Sequence, residues 1–200
     1  LLYLCCATTL SVEAKELHFE IDHTYGESRI RPGKLELPSP ENPEFSITRL
    51  DYLLSDFQLQ RPDESWLESH VWTEFISLES NRTTFSLSGV PAERFQAIRF
   101  SIGLPSDANA ADPNLFPAGH PLNPQLNGLH WGWQGGYIFL ALEGHILSSD
   151  EKVPTDGFSY HLANDENRMW VTVPIELDAA LVSTVSLKFD LAKVIETSLI

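Results

Sequence analysis

Short runs of alternating apolar and polar residues recur along this chain and constrain its fold more than any other feature. In the first run, Leu17, Phe19 and Ile21 alternate with polar neighbours, the period-two pattern of a strand with one buried face. Residues 45–59 alternate in the same way, and we expect a bend near Leu53. Further strands are predicted at 70–78, 84–87, 95–104, 137–147, 158–162, 169–177 and 184–191, and a short terminal helix at 191–199.

This pattern predicts an all-β fold, an antiparallel β-sandwich. The eight or nine predicted strands are short and are separated by clusters of Pro, Gly, Asn and Asp, which favour turns. A chain of 200 residues is long enough to bury one sizeable core. We therefore assign residues 15–200 to a single sandwich domain.

The start of the chain resembles the remnant of a secretory signal peptide, which we place at residues 1–14. An apolar run is followed by small polar residues and ends at Ala14, as at a cleavage site. The run is too short to span a bilayer, so no transmembrane anchor is expected. Cys5 and Cys6 are the only cysteines and both lie in this segment. The sequence thus predicts a periplasmic, secreted or cell-surface domain without thiols.

Charge and missing motifs exclude several classes of function. The formal net charge is -15, which repels the phosphates of nucleic acids and anionic lipids. No nucleophile elbow, phosphate-binding loop or HExxH zinc motif occurs in the sequence. We therefore predict a binding protein rather than an enzyme.

One long irregular stretch, residues 105–136, interrupts the strands. A loop of this length in a compact domain is uncommon unless it is functional or disordered. Its many apolar side chains argue against disorder, and its prolines reduce the entropy lost on ordering. We expect it to pack as a lid or rim over one end of the sandwich.

The end of this loop concentrates residues suited to a shaped binding site. His120 and His130 offer imidazoles, the commonest metal ligands at neutral pH, and Trp131 and Trp133 follow directly. In an extended segment the two tryptophans would share a face, while His130 and Trp131 would face opposite ways unless the backbone turns. His161, in a predicted strand, is a third candidate ligand.

Several motifs resemble those of the MbnP-like copper-binding proteins, which are related to MopE/CorA. The most specific is Trp131-Gly-Trp-Gln-Gly-Gly-Tyr137, preceded by Pro121-Leu-Asn-Pro124 and followed by Leu142-Glu-Gly144. Looser matches occur at residues 46–59, 89–103, 158–162 and 185–191, so the resemblance covers most of the predicted domain.

The resemblance implies an exported copper carrier or store. In such proteins Cu(I) is held by two histidines and a kynurenine, which a di-haem peroxidase-type enzyme forms by oxidising a tryptophan. Unmodified indole only donates a hydrogen bond and has no in-plane lone pair, whereas kynurenine supplies an amine and a carbonyl. Here the ligands would be drawn from His120, His130 and His161, with Trp131 or Trp133 as the modified residue.

Two alternatives stay open at this level. His70 and Trp72 lie on the same face of a predicted strand, and they form a competing pair for the copper site. A different class of function is a module that binds carbohydrate or protein, in which Trp131, Trp133 and Tyr137 form an exposed aromatic platform.

Overall fold

Two β-sheets pack face to face in the computed structural model, which describes residues 14–30, 45–68, 73–147 and 154–198. The strands are β1 (Ala14–Tyr25), β2 (Ser28–Arg29), β3 (Phe45–Gln60), β4 (Trp66–Glu68), β5 (Thr73–Ser77), β6 (Thr84–Pro91), β7 (Arg94–Ile102), β8 (Ile138–Leu147), β9 (Pro154–Ala163), β10 (Met169–Asp178) and β11 (Thr184–Asp190). The helices are α1 (Ser106–Asn109), α2 (Pro124–Asn127) and α3 (Leu191–Ser198), with 3-10 turns at Pro113–Leu115 and Asp165–Asn167.

The smaller sheet is built around β1, which pairs with β11, β2 and β6. The larger sheet has the order β10-β7-β3-β8-β9, and β4 and β5 also pair with β3. The predicted all-β sandwich is confirmed, with one departure from antiparallel pairing: β1 and β11 run parallel. These strands come from opposite ends of the domain, so no tight hairpin imposes an antiparallel direction on them.

The main core fills the space between the sheets, and the predicted alternation accounts for it. On β1, Leu17, Phe19 and Ile21 are buried, as predicted. The Phe19 ring stacks on Phe85 of β6 at 4.8 Å, and Phe57 of β3 contacts Phe85 at the same centroid distance. Burial of these apolar side chains is the main stabilising contribution to the fold.

A second, smaller core lies on the opposite face of the larger sheet. There Leu53 and Phe139 pack with Leu104, which directly precedes the loop, and with loop residues that include Leu122 and Leu129. Their neighbours Tyr52 and Leu54 in β3 and Leu140 in β8 belong to the main core, so the two clusters occupy opposite faces of the same strands. The loop therefore covers the outer face of the larger sheet, and our expectation that it would cap one end of the sandwich is wrong.

The remaining differences from the sequence prediction are local. The bend expected near Leu53 lies at Asp56, which has a φ of 54° and accompanies a register shift against β7. The terminal helix is confirmed as Leu191–Ser198. Strands β2 and β4 were not predicted because two or three residues are too few to show a period.

Parts of the sequence prediction fall outside the residues that the structure describes. One part is the predicted signal remnant with Cys5 and Cys6, of which only Ala14, the first residue of β1, is described. The other is the His70/Trp72 pair. Within residues 14–30, 45–68, 73–147 and 154–198, no helix is long and apolar enough to cross a bilayer.

Candidate functional site

The loop of residues 105–136 is built from short capped turns rather than irregular chain. The Asn123 side chain accepts a hydrogen bond from the Gln125 amide at the start of α2, and Pro124 occupies the first helical position. Gly128 ends α2 in the left-handed conformation at a φ of 59°. Buried Asn127 then donates to the Pro121 carbonyl at 2.6 Å and accepts from the Leu129 amide at 2.7 Å. Side-chain amides thus supply the hydrogen bonds that strand pairing provides elsewhere.

Tyr137 fastens the end of the loop to its interior. Its hydroxyl donates to the Leu122 carbonyl at 2.6 Å, and its amide donates to Asn109 Oδ1 at 2.8 Å. Asn109 in turn donates to Asp165 in the turn between β9 and β10. Burial, with a contribution from Asp112, raises the pKa of Tyr137 to about 12, so the hydroxyl remains a donor across the physiological range.

The two loop tryptophans lie together at the tip of a tight turn. The Trp131 amide donates to the Gly136 carbonyl, and the Gly135 amide donates to the Trp131 carbonyl. Gly135 and Gly136 have φ values of 76° and 78°, which explains the Gly-Gly pair. The Trp131 and Trp133 rings stack with their centroids 5.6 Å apart and an angle of 29° between the ring planes. Trp131 is half-buried against the outer-face core, whereas Trp133 is 81% exposed.

His130 and His120 occupy different parts of the loop. His130 is half-buried and pairs with Tyr137 across the turn, with the two rings edge to face at 4.9 Å. His120 stacks on Phe116 at 4.6 Å, and its Nδ1 accepts a hydrogen bond from the Leu122 amide at 3.1 Å. Burial lowers the pKa of His120, which favours the neutral ring. Because Nδ1 of His120 is already engaged, Nε2 is the nitrogen it offers to a ligand.

His161 lies on β9, on the same face of the larger sheet that the loop covers. Its Nε2 is 2.8 Å from Glu143 Oε1 of β8 and 3.1 Å from Ser159 Oγ. Burial disfavours the Glu143 carboxylate, but the hydrogen bond with His161 and the charge of Arg49 outweigh burial and keep the pKa of Glu143 below its ordinary value. His161 therefore faces an ionised carboxylate at neutral pH.

Arg49 of β3 connects this strand cluster to the loop. Its Nη1 is 3.2 Å from Glu143 Oε1 and its Nε is 2.6 Å from Asp51 Oδ2. Its Nη2 donates to the carbonyls of Asn127 and Gly128, each at 3.3 Å. These carbonyls end α2 and precede His130 by two or three residues. Arg49 of β3 thus links Glu143 of β8 to the loop segment that leads into His130.

Sequence reasoning missed Arg49, Asp51 and Glu143 as part of the candidate site. Each is a polar residue on an alternating strand, and acidic residues are too common in this chain for one carboxylate to attract notice. A weak signal did exist, since Glu143 belongs to the Leu142-Glu-Gly144 motif. The cross-strand register, in which Arg49 lies opposite Glu143 and Glu143 opposite Ser159, is what brings them together.

The candidate ligands do not form a ready-made cluster. In the parts of the chain that the structure describes, no group of three or more His, Cys, Asp or Glu side chains is placed to hold a metal ion. His161 contacts Glu143 and Ser159, whereas His120 and His130 contact aromatic rings of the loop.

Comparisons with known proteins match this chain almost from end to end. The sequence model of the MbnP family matches residues 14–200. The solved structure of MbnP from Methylosinus trichosporium is similar, with a TM-score of 0.63 and 12% sequence identity. The alignment covers 88% of this chain and 76% of that chain. The search of curated proteins finds no match. At this identity the structural likeness establishes the fold alone.

Proposed function

The chain belongs to the MbnP family, and on that premise we propose that it is an exported copper-binding protein that carries or stores Cu(I). The observation that carries this proposal is the family match over residues 14–200, a span that contains every candidate ligand. The function requires binding and release of a metal ion and no turnover of a substrate.

The donor chemistry of the outer face supports a site with two imidazoles and one oxidised tryptophan. Imidazole nitrogen suits copper, and a carboxylate that holds the second ring nitrogen, as Glu143 holds His161, is the usual companion of a metal-binding histidine. The third donor would be kynurenine, because unmodified indole lacks a lone pair in the ring plane. We propose His161 and a loop histidine, His130 or His120, as the imidazole ligands.

Oxidation would have to come from a separate enzyme, and we propose a di-haem partner of the peroxidase type that consumes peroxide. Cleavage of the indole ring adds two oxygen atoms, and hydrolysis then releases one carbon as formate. The net change exchanges a carbon atom for an oxygen atom. Trp133 is the more accessible of the two loop tryptophans, and Trp131 is the one beside His130.

Mass spectrometry of protein purified from its native host tests the modification. We expect copper-loaded protein to carry the carbon-for-oxygen exchange, and peptide mapping to place it at Trp131 or Trp133. Recombinant protein made without the partner enzyme is the control and should keep the unmodified mass. Copper-loaded native protein in which every tryptophan is intact would contradict the kynurenine ligand.

Copper titration tests the metal itself. We expect His161→Gln to weaken Cu(I) binding by native protein, measured by competition with a chromogenic chelator. His18→Gln is the matched control, because His18 is exposed on the smaller sheet and bonds to Ser86. Native protein that takes up no Cu(I) would overturn the proposed function.

The exposure of Trp133 favours a second candidate, a carbohydrate- or protein-binding module. Sugar rings stack on exposed indoles, but Trp131 is half-buried and tilted by 29°, so the platform presents mainly one ring. Oligosaccharide titration followed by tryptophan fluorescence separates the candidates. A saturable response that Trp133→Ala abolishes, without copper binding, would favour the module.

A further inference from the structure

We propose that Glu143 and Arg49 are positioning residues for the outer-face site. Glu143 holds the proton of His161 on Nε2, so that Nδ1 is the atom presented to copper, and Arg49 ties this pair to the loop that carries His130. The copper part of this inference rests on the proposed function. The placement of the His161 proton and the attachment of the loop by Arg49 do not depend on that function.

The proton assignment follows from the nature of the acceptor. Glu143 Oε1 lies 2.8 Å from His161 Nε2, and an ionised carboxylate can only accept a hydrogen bond. Nε2 must therefore donate, and in the neutral ring this leaves the lone pair on Nδ1. A metal at Nε2 would displace the carboxylate contact and the nearby Ser159 hydroxyl, whereas a metal at Nδ1 keeps both.

The strand register explains why His161 reaches Glu143 rather than another partner. His161 lies directly opposite Ala141 on β8, and Glu143 is opposite Ser159, so Glu143 is the diagonal neighbour of His161. Side chains at such diagonal positions on one sheet face are within reach of each other when they are long. The methyl group of Ala141 leaves the imidazole room to lean along the strand.

Arg49 is suited to its role because it contacts three parts of the molecule at once. It donates to Asp51 on its own strand, to Glu143 on β8, and to the carbonyls of Asn127 and Gly128 in the loop. Only the planar guanidinium offers donors in several fixed directions, and the ammonium of lysine cannot replace it. The Arg49 side chain is 23% exposed, so water replaces these contacts poorly.

The first experiment does not involve copper. In the metal-free protein with nitrogen-15 histidine, long-range proton–nitrogen correlation spectra at a pH where the ring is neutral should show His161 with its proton on Nε2. Glu143→Gln keeps an acceptor oxygen and should preserve this tautomer, whereas Glu143→Ala should give a mixture. Glu176→Ala, at an exposed carboxylate on β10, is the control. A proton on Nδ1, or an unchanged tautomer in Glu143→Ala, would overturn the assignment.

The second experiment measures Cu(I) affinity in the same variants. Loss of a carboxylate that orients a metal-binding histidine weakens metal binding by about 10- to 100-fold, and we expect this for Glu143→Ala, with substantial rescue in Glu143→Gln. If the wild-type protein binds no Cu(I), the proposed function fails while the tautomer result stands. If the wild type binds and Glu143→Ala binds equally well, the positioning role of Glu143 is wrong.

The third experiment tests the link to the loop by hydrogen exchange. Arg49→Lys should speed exchange of the Leu129 and Ile138 amides by about tenfold, because the hydrogen bonds that anchor residues 127 and 128 are lost. Amides of β1 should not change. Arg94→Lys is the matched control, since Arg94 is exposed and its ion pair with Asp178 lies away from the loop. Unchanged loop exchange in Arg49→Lys would show that Arg49 does not hold the loop.

Discussion

The two faces of the larger sheet are built from the same strands, yet they serve different purposes. On the inner face, Tyr52, Leu54 and Leu140 pack against the smaller sheet in the main core. On the outer face, Leu53 and Phe139 alternate with those residues and carry a smaller core. Beyond that core, the side chains on the outer face of β3 and β8 are polar. One face therefore specifies the fold, and the other is free to host a site.

The two faces also differ in how their cover is held. The smaller sheet is held together by strand pairing and by the stacking of Phe19 on Phe85, and it covers the inner face through ring contacts such as that of Phe85 with Phe57. The loop covers the outer face through individual polar contacts from Tyr137, Asn127 and Arg49. A single substitution can therefore loosen the loop, whereas a comparable loss inside the sandwich destabilises the whole domain.

The largest expected effect is on the inner face. Phe57 is fully buried and contacts the rings of Phe85 and Phe100, so Phe57→Ala should lower the free energy of unfolding by about 3 to 5 kcal/mol. Urea unfolding followed by tryptophan fluorescence measures this loss. Leu181→Ala, at a site that is 83% exposed, should stay within about 0.5 kcal/mol. Similar losses in both variants would contradict the stabilising role of the inner face.

The next effect is a pH dependence of the contact between His23 of β1, in the smaller sheet, and Tyr52 on the inner face. Burial lowers the pKa of His23 to about 4, and the neutral ring bonds to the Tyr52 hydroxyl at 2.9 Å. The unfolded chain titrates near pH 6.5, so it binds the proton first as the pH falls. The free energy of unfolding should therefore drop between about pH 6.5 and 4, by about 3 kcal/mol for this group.

Unfolding of wild type and His23→Gln across that pH window isolates the contribution of His23. The variant should lose part of the acid sensitivity, whereas His18→Gln on the exposed face of β1 should retain it. Identical pH slopes in wild type and His23→Gln would contradict the prediction.

A smaller and more local effect is expected on the outer face. Tyr137→Phe removes the donor to the buried Leu122 carbonyl and should cost about 1 to 3 kcal/mol, felt mainly in the loop. Hydrogen exchange should rise at Leu129 and Ile138 while strands of the smaller sheet stay protected. Tyr160→Phe, at a partly exposed position, is the control. A uniform loss of protection would show that the loop and the sandwich unfold as one unit.

The smallest effect concerns the turn that carries the tryptophans. Gly136 has a φ of 78°, and a Cβ there would lie 3.0 Å from Asn109 Oδ1, so Gly136→Ala should cost about 1 to 2 kcal/mol. The matched control is Gly89→Ala, which has a similar φ of 74° but open space around its Cβ. Near-ultraviolet circular dichroism should report a change in the Trp131 and Trp133 environment for Gly136→Ala only.

Much of the fold was predictable because strand patterning is a local property. The alternation at Leu17, Phe19 and Ile21, and the terminal helix that begins at Leu191, follow from side-chain spacing within one segment. The loop was located because it breaks that pattern. Its helical turns were missed, because a helix of four residues is too short to show the helical period in the sequence.

Side-chain patterning along the chain was enough to establish most of the strands, the faces they bury and the family that the motifs resemble. Three-dimensional packing was needed to establish that β1 pairs parallel with β11, that the loop lies on the outer face, and that His161 meets Glu143 beside Arg49. The cause is separation along the chain. Periodicity reports how neighbouring residues divide between two faces, but strand order and register bring residues 49, 127, 143 and 161 together, and no local pattern encodes them.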